Sequence, residues 1–186
     1  MKADLERPAS EPSGRLTIRP MTVADVPVVL RIEALSFTTS WPQNAFLSEI
    51  NDNKLAHYYV GVHDGEVIAY GGIWVILEDS HITTIAVHPD RRGKRYGEEL
   101  LQFLIRQACD REASWMTLEV RESNSSAQAL YRKYGFTVVS TRRGYYSDNN
   151  ENAFVMWAGN LRGDLYRARL ATLEAELEGR LSGGLR

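Results

Sequence analysis

The amino-acid sequence predicts an α/β fold of the α+β kind: one mixed central sheet of about seven strands with about four helices packed on it. Three observations lead there. Runs rich in Val, Tyr, Ile and Thr alternate with stretches whose apolar residues recur at helical spacing, in the order strand, two helices, three strands, helix, strand, helix, two strands. Asp64-Gly65 separates two of the strand-like runs, which is the turn chemistry of a tight hairpin. The stretch RRGKRYGEELLQFLIRQACDREA places Leu100, Leu101, Leu104, Ile105 and Ala108 on a single helical face, the stripe a helix needs in order to lie on a sheet.

Each element has a local reason. Residues 1–14, MKADLERPASEPSG, are rich in Pro, Ser and charge and bury too little apolar surface to offset ordering, so they are expected to form a flexible leader. The domain is expected over residues 15–160. LTIRP is a strand stopped by Pro20, and TVADVPVVLRIEALSF is a helix with Thr22 and Asp25 as a capping-box variant and Pro27 in its first turns. TTSWPQNAFLSEI gives a turn at Trp41-Pro42 and a second helix carrying Ala45, Phe46 and Ile50. HYYVGVHDGEVIAYGGIWVI is the hairpin, HITTIAVHPD a further strand ended by Pro89, SWMTLEVR the next strand and SNSSAQALYRKYGF the next helix. TVVSTRRGYYSDNNENAFVMWAG supplies the last two strands around a polar loop. In the tail, residues 161–186, Tyr166, Leu170, Leu173 and Leu177 alternate spacings of four and three, an apolar stripe that favours docking on the chain's own domain over an oligomer seam. A monomer or weak dimer is the expectation.

Composition narrows the function. The chain of 186 residues is 44% apolar and 25% charged with a net charge of -2, an ordinary globular balance that gives no reason to expect nucleic acid as a partner. The single cysteine, Cys109, excludes an internal disulfide framework and fits a reducing compartment, so a cytoplasmic location is expected. No signal peptide is evident and no apolar run is long enough to span a bilayer, so no membrane partner is expected. His57, His63, His81 and His88 lack the pairing and the companion cysteines of a zinc site, and no metal is expected. No G-x-S-x-G elbow occurs and Cys109 lies in a helical run, which leaves no promising covalent nucleophile.

Two stretches carry chemistry. A strand ending in TIAVHPD, then RRGKRYG, then a helix sets a turn of backbone N–H groups at a helix N-terminus, and such turns bind phosphate. Arg91, Arg92, Lys94 and Arg95 add positive charge suited to a ligand with several phosphates, although a solvated charge cluster has the same pattern. LEVRESNSSAQALYRKYGF places a carboxylate, Glu119, between apolar strand residues, then Asn124 at the turn and Tyr131 on the helix. Taken singly, Glu119 reads as a solvated strand residue, Tyr131 as core filling and Asn124 as a helix cap.

Together, IAVHPDRRGKRYGEELL, LEVRESNSSAQALYRKYGF and RRGYYSDNNENAFVMW resemble the GNAT acetyltransferase superfamily, and within it the RimI-type ribosomal-protein-alanine N-acetyltransferases, from about Leu16 to Trp157. The resemblance implies a sheet splayed at the donor site and acetyl-CoA as co-substrate. Its pyrophosphate is then expected in the turn Arg92-Gly93-Lys94-Arg95-Tyr96-Gly97, where Arg95 stands at a position that is glycine in the family pattern. The resemblance also implies that the backbone of Ile85, Ala86 and Val87 pairs with the pantetheine arm and that Asn124 bonds it. Glu119 matches the proton acceptor and Tyr131 the proton donor to the departing thiolate. Trp41, Tyr145 and Tyr146 match positions that rim a peptide groove. The acceptor it implies is a peptide N-terminus, the alanine of a ribosomal protein. A lysine or small-amine acetyltransferase on the same scaffold is the alternative, and a non-catalytic acyl-CoA sensor the third reading.

Overall fold

A computed structural model describes residues 15–182, so the expected leader over residues 1–14 lies outside the described residues, as does the end of the tail. In chain order the elements are β1 (Thr17–Pro20), α1 (Val26–Ser36), α2 (Gln43–Asn51), β2 (Ala56–His63), β3 (Glu66–Ile76), β4 (Asp79–Val87), α3 (Tyr96–Asp110), β5 (Trp115–Arg121), α4 (Ser125–Lys133), β6 (Thr137–Tyr146), β7 (Glu151–Gly159) and α5 (Asp164–Ser182). Short 3-10 turns over Val23–Asp25 and Pro89–Arg91 precede α1 and α3. The strands form one sheet in the order β1-β2-β3-β4-β5-β7-β6. Every neighbouring pair is antiparallel except β4–β5, which is parallel.

Sequence dictates the local choices. Thr22 and Asp25 form a capping box, and the Asp25 carboxylate also takes both Arg19 guanidinium nitrogens at 2.7 Å. The α helix proper starts at Val26 with Pro27 in its first turn, so the stretch read as one helix is a 3-10 turn followed by α1. Asp64 and Gly65 take φ of 51° and 78° in the hairpin, values that let a two-residue turn follow the twist of the strands. Gly72 is required for space: a Cβ there would lie 2.4 Å from the Tyr58 ring.

The two faces of the sheet bury different cores. On one, α3 contributes Leu100, Leu101, Leu104, Ile105 and Ala108, all fully buried with Met116, Leu118 and Met156 of β5 and β7. Burial of each large apolar side chain there is worth about 1.5–3 kcal/mol. On the other, α1 and α2 place Val26, Val29, Ile32 and Phe46 over Tyr58, Val60, Tyr70 and Ala86. The tail helix α5 docks on its own domain through Leu173 and Leu177. It also satisfies the last carbonyls of α4: the Tyr166 hydroxyl donates to the Tyr134 carbonyl at 2.9 Å and Arg169 donates to those of Arg132 and Lys133.

Candidate active site

The site begins where the sheet comes apart. β4 and β5 pair only at Asp79–Trp115, Ser80–Met116 and His81–Thr117, after which β4 follows β3 up to Val87 while β5 follows β7 up to Arg121. Ile85, Ala86 and Val87 pair with Gly71, Tyr70 and Ala69 of β3, and their other edge faces the gap. An open strand edge of this kind is a template for one more extended chain.

Above that edge lies the basic turn. Gly93 and Arg95 both take positive φ, 79° and 67°, and α3 starts at Tyr96. The N–H groups of Gly93, Lys94, Arg95, Tyr96 and Gly97 meet no protein acceptor among the described residues, at the positive end of the α3 dipole. A left-handed conformation costs a side-chain-bearing residue about 1 kcal/mol. The Arg95 guanidinium pairs with the Glu98 carboxylate at 3.2 Å, and Glu98 also accepts from Lys133 and from the Tyr134 hydroxyl. Arg92 reaches back to the Val87 carbonyl and the Ser36 hydroxyl, joining the turn to β4 and α1.

Glu119 sits just past the fork, on the strand face opposite Leu118 and Val120. Its side chain is only 10% exposed, with Oε2 3.2 Å from His81 Nε2 and Oε1 3.1 Å from Arg142. His81 is fixed in turn by Thr117, whose hydroxyl lies 2.8 Å from Nδ1. The His81 hydrogen bond lowers the Glu119 carboxyl below the usual carboxylate range and the Arg142 charge adds to this, while burial opposes both. Glu119 is therefore ionised throughout the neutral range.

Tyr131 projects from α4 with its ring against Phe136, 6% exposed, and its hydroxyl makes no hydrogen bond among the described residues. Burial pushes the phenol well above its ordinary value, with the neighbouring Tyr146 adding to it. Burial also raises Tyr146, to about 12, and Glu119 is among the charges that act in the same direction. Tyr146 is held by Arg121, stacked 3.9 Å above its ring, while the same guanidinium grips Asp148 and Glu151 of the hairpin. Tyr145 packs edge-on against Tyr146. The Trp41 ring packs on Phe46 and Tyr58, and the Trp41 backbone N–H donates to the buried Glu33 carboxylate at 3.1 Å. Asn124 caps α4, its side chain accepting from the Ala127 N–H at 3.1 Å.

Sequence reasoning missed His81, Arg142, Arg121 and Glu33. In the sequence His81 is one of four histidines without the pattern of a zinc site, and among the described residues no cluster of three or more His, Cys, Asp or Glu is placed to hold a metal ion. Arg142 opens the stretch RRGYYSDNNENAFVMW, where nothing local gives it a role. No local signal joins either to Glu119, because both contacts depend on strand register.

The sequence profile of the acetyltransferase (GNAT) family matches residues 26–136, which include the gap-facing edge of β4, the basic turn, Glu119 and Tyr131. The chain is 40% identical over 143 residues to a Bacillus subtilis (strain 168) protein provisionally named a [ribosomal protein bS18]-alanine N-acetyltransferase, with 77% of this chain and 95% of the relative covered. It is 32% identical over 142 residues to the Escherichia coli (strain K12) [ribosomal protein bS18]-alanine N-acetyltransferase, covering 75% of this chain and 95% of the relative. The crystal structure of the ribosomal-protein-S18-alanine N-acetyltransferase from Escherichia coli superposes with a TM-score of 0.72 at 30% identity, covering 78% of this chain and 94% of the other. Forked sheet, left-handed basic turn and matched sequence agree: the chain belongs to the GNAT acetyltransferase family and is an acetyl-CoA-dependent transferase.

Proposed function

We propose that the protein transfers an acetyl group from acetyl-CoA to the α-amine of a ribosomal protein's N-terminal alanine, as the names of its 30–40% identical relatives state for them. The observation that carries the reading is the fork: past the last β4–β5 pair, β5 carries a buried, ionised Glu119, and the helix that follows carries Tyr131 with an unpartnered hydroxyl.

Residues 93–97 bind the donor's pyrophosphate through their free N–H groups and the α3 dipole. The free edge of Ile85, Ala86 and Val87 pairs with the pantetheine arm and directs an N–H at the thioester oxygen, where charge develops in the tetrahedral intermediate. Tyr145, Tyr146 and Trp41 wall the acceptor's first residues, and Asn124 keeps the strand-to-helix turn in place beside the arm.

Glu119 attracts the α-ammonium and takes its proton, directly or through a water. The ammonium has a reference pKa of about 7.7–8.0 and the Glu119 carboxyl lies below its ordinary range, so the proton transfer is uphill and forms part of the barrier. A turnover of about 10 per second corresponds to a barrier of about 16 kcal/mol, which accommodates that step. The neutral amine then attacks the thioester carbon, and no covalent enzyme intermediate is needed. Tyr131, kept protonated by burial, donates to the sulfur as it departs with charge.

Mass spectrometry of two peptides incubated with acetyl-CoA tests this. One begins with a free alanine, the other carries a blocked N-terminus and an internal lysine. One acetyl group on the first alone is the expected result; acetylation confined to lysine overturns the proposal.

A further inference from the structure

We propose that Arg142 selects the acceptor: its guanidinium occupies the place against Glu119 that a protonated α-amine takes, and only an acceptor bringing its own cation displaces it. The inference rests on the reading of Glu119 as the acceptor's carboxylate.

Both Glu119 oxygens are engaged, Oε2 by His81 and Oε1 by Arg142, but the two partners are not equivalent. His81 belongs to the last paired position of β4 and β5 and is held on its other nitrogen by Thr117. It has no freedom to leave. Arg142 lies on the edge strand β6, between register slips at Val138/Ser140 and Arg142/Tyr146, and its side chain is 56% exposed. Glu119 is its carboxylate partner, at 3.1 Å.

Arg121 shows what a permanent arginine looks like on the same face. It is anchored by Asp148 and Glu151 and stacked on Tyr146, and it has no reason to move. Arg142 has one ion pair and one looser neighbour, the Tyr145 ring 5.5 Å from its guanidinium carbon. That ring gives the displaced cation a place at the rim of the groove. The reacting carboxylate thus stays neutralised until a second cation arrives. An α-ammonium, compact and able to enter the gap, exchanges with the guanidinium. A neutral amide or a blocked terminus offers Glu119 nothing in return and leaves Arg142 seated.

The probe is an alanine-starting peptide amide with no ionisable side chain, so that its α-ammonium is its sole charge. In wild type, one cation replaces another and the number of ion pairs at Glu119 is unchanged, so the peptide KM should vary little with salt. In Arg142→Gln an ion pair forms where none existed. The peptide KM should fall about two- to fivefold at low salt and then climb as salt screens the new pair. An unaltered acetyl-CoA KM reports an intact fold. Arg142→Lys, which keeps a cation on a shorter reach, should lie between the two. The acid limb of kcat/KM should move to higher pH in Arg142→Gln, because the groups facing Glu119 are His81 of β4 and Arg142 and Tyr146 of β6, and one cation is lost. A raised peptide KM in Arg142→Gln would mean that Arg142 binds the acceptor, and parallel salt slopes would mean that it never leaves. Either result overturns the inference. Wild-type enzyme that leaves the α-amine unmodified would instead refute the proposed function.

Discussion

Replacing Glu119 by Gln removes the charge and with it the ion pair to Arg142, whose guanidinium is exposed enough to turn to solvent. The amide keeps an oxygen for His81, and its size matches the carboxylate, so the fork should survive. In wild type, His81 and Arg142 hold the carboxyl below its ordinary range, so none of the pH dependence between pH 7 and 9 comes from Glu119 itself. All of it comes from the acceptor. With an amine pKa of about 7.8, the neutral fraction is about 14% at pH 7 and about 94% at pH 9, a rise of about sevenfold. The variant depends on that fraction, because solvent must deprotonate its acceptor. Wild type takes the ammonium itself and gains nothing from the rise. General-base loss costs about 10²-fold or more in kcat/KM at pH 7, and the ratio of wild type to variant should then narrow at least about sevenfold by pH 9. Initial rates with the alanine-starting peptide at both pH values, with acetyl-CoA saturating, measure it. A ratio that stays the same at pH 7 and pH 9 would remove Glu119 from the base role.

Tyr131→Phe deletes a hydroxyl that bonds nothing among the described residues, so Tm should hold within a few degrees while kcat falls about tenfold or more and the acetyl-CoA KM stays put; equal losses in binding and turnover would mark the ring as packing only. Arg95→Gly relieves a φ of 67°, worth about 1 kcal/mol, and gives up one of three partners of the buried Glu98, which keeps Lys133 and the Tyr134 hydroxyl, so stability should change little. Acetyl-CoA affinity should then depend less steeply on salt than in wild type, and parallel slopes would leave Arg95 without a phosphate contact. Glu33 is 2% exposed, one of its oxygens has no partner, and burial raises its carboxyl to about 7. The unfolded chain releases this proton near pH 4.5 and the folded chain near 7, so wild type loses up to about 3 kcal/mol of stability as pH rises through that window. Urea unfolding at pH 5 and pH 8 should show Glu33→Gln gaining by that amount relative to wild type. Ending the chain after Asn160 strips buried Leu161, Leu173 and Leu177 and the caps on α4, for a Tm lower by roughly 9 °C or more, yet acetyl transfer should persist at 10 °C because α5 adds no group to the cleft.

Most of what depends on near neighbours in the chain was legible in the sequence, the 3-10 turn ahead of α1 apart. Element order, the Asp64-Gly65 turn, the capping box at Thr22 and the α3 stripe follow from backbone sterics and from a period of 3.6 or 2 residues, which a few consecutive residues suffice to set. So do the positions of Glu119 on a strand and Tyr131 on the following helix. The tail stripe also announced its buried leucines, because an amphipathic helix must cover that face with something.

The chemistry of Glu119 was not legible in that way. A carboxylate between Leu118 and Val120 is either a solvated strand residue or a base held in a gap, and the difference lies in partners 38 positions earlier and 23 positions later. His81 meets it because β4 and β5 pair for three residues and then part; Arg142 meets it because β6 slips register on both sides of that residue. Bulges and partings arise from the packing of side chains that are remote in sequence, and a one-residue change of register turns every side chain to the other face. The sequence by itself therefore determined the elements and the kind of residue available to the site, whereas the tertiary structure alone decided that His81 and Arg142 are the side chains set against Glu119.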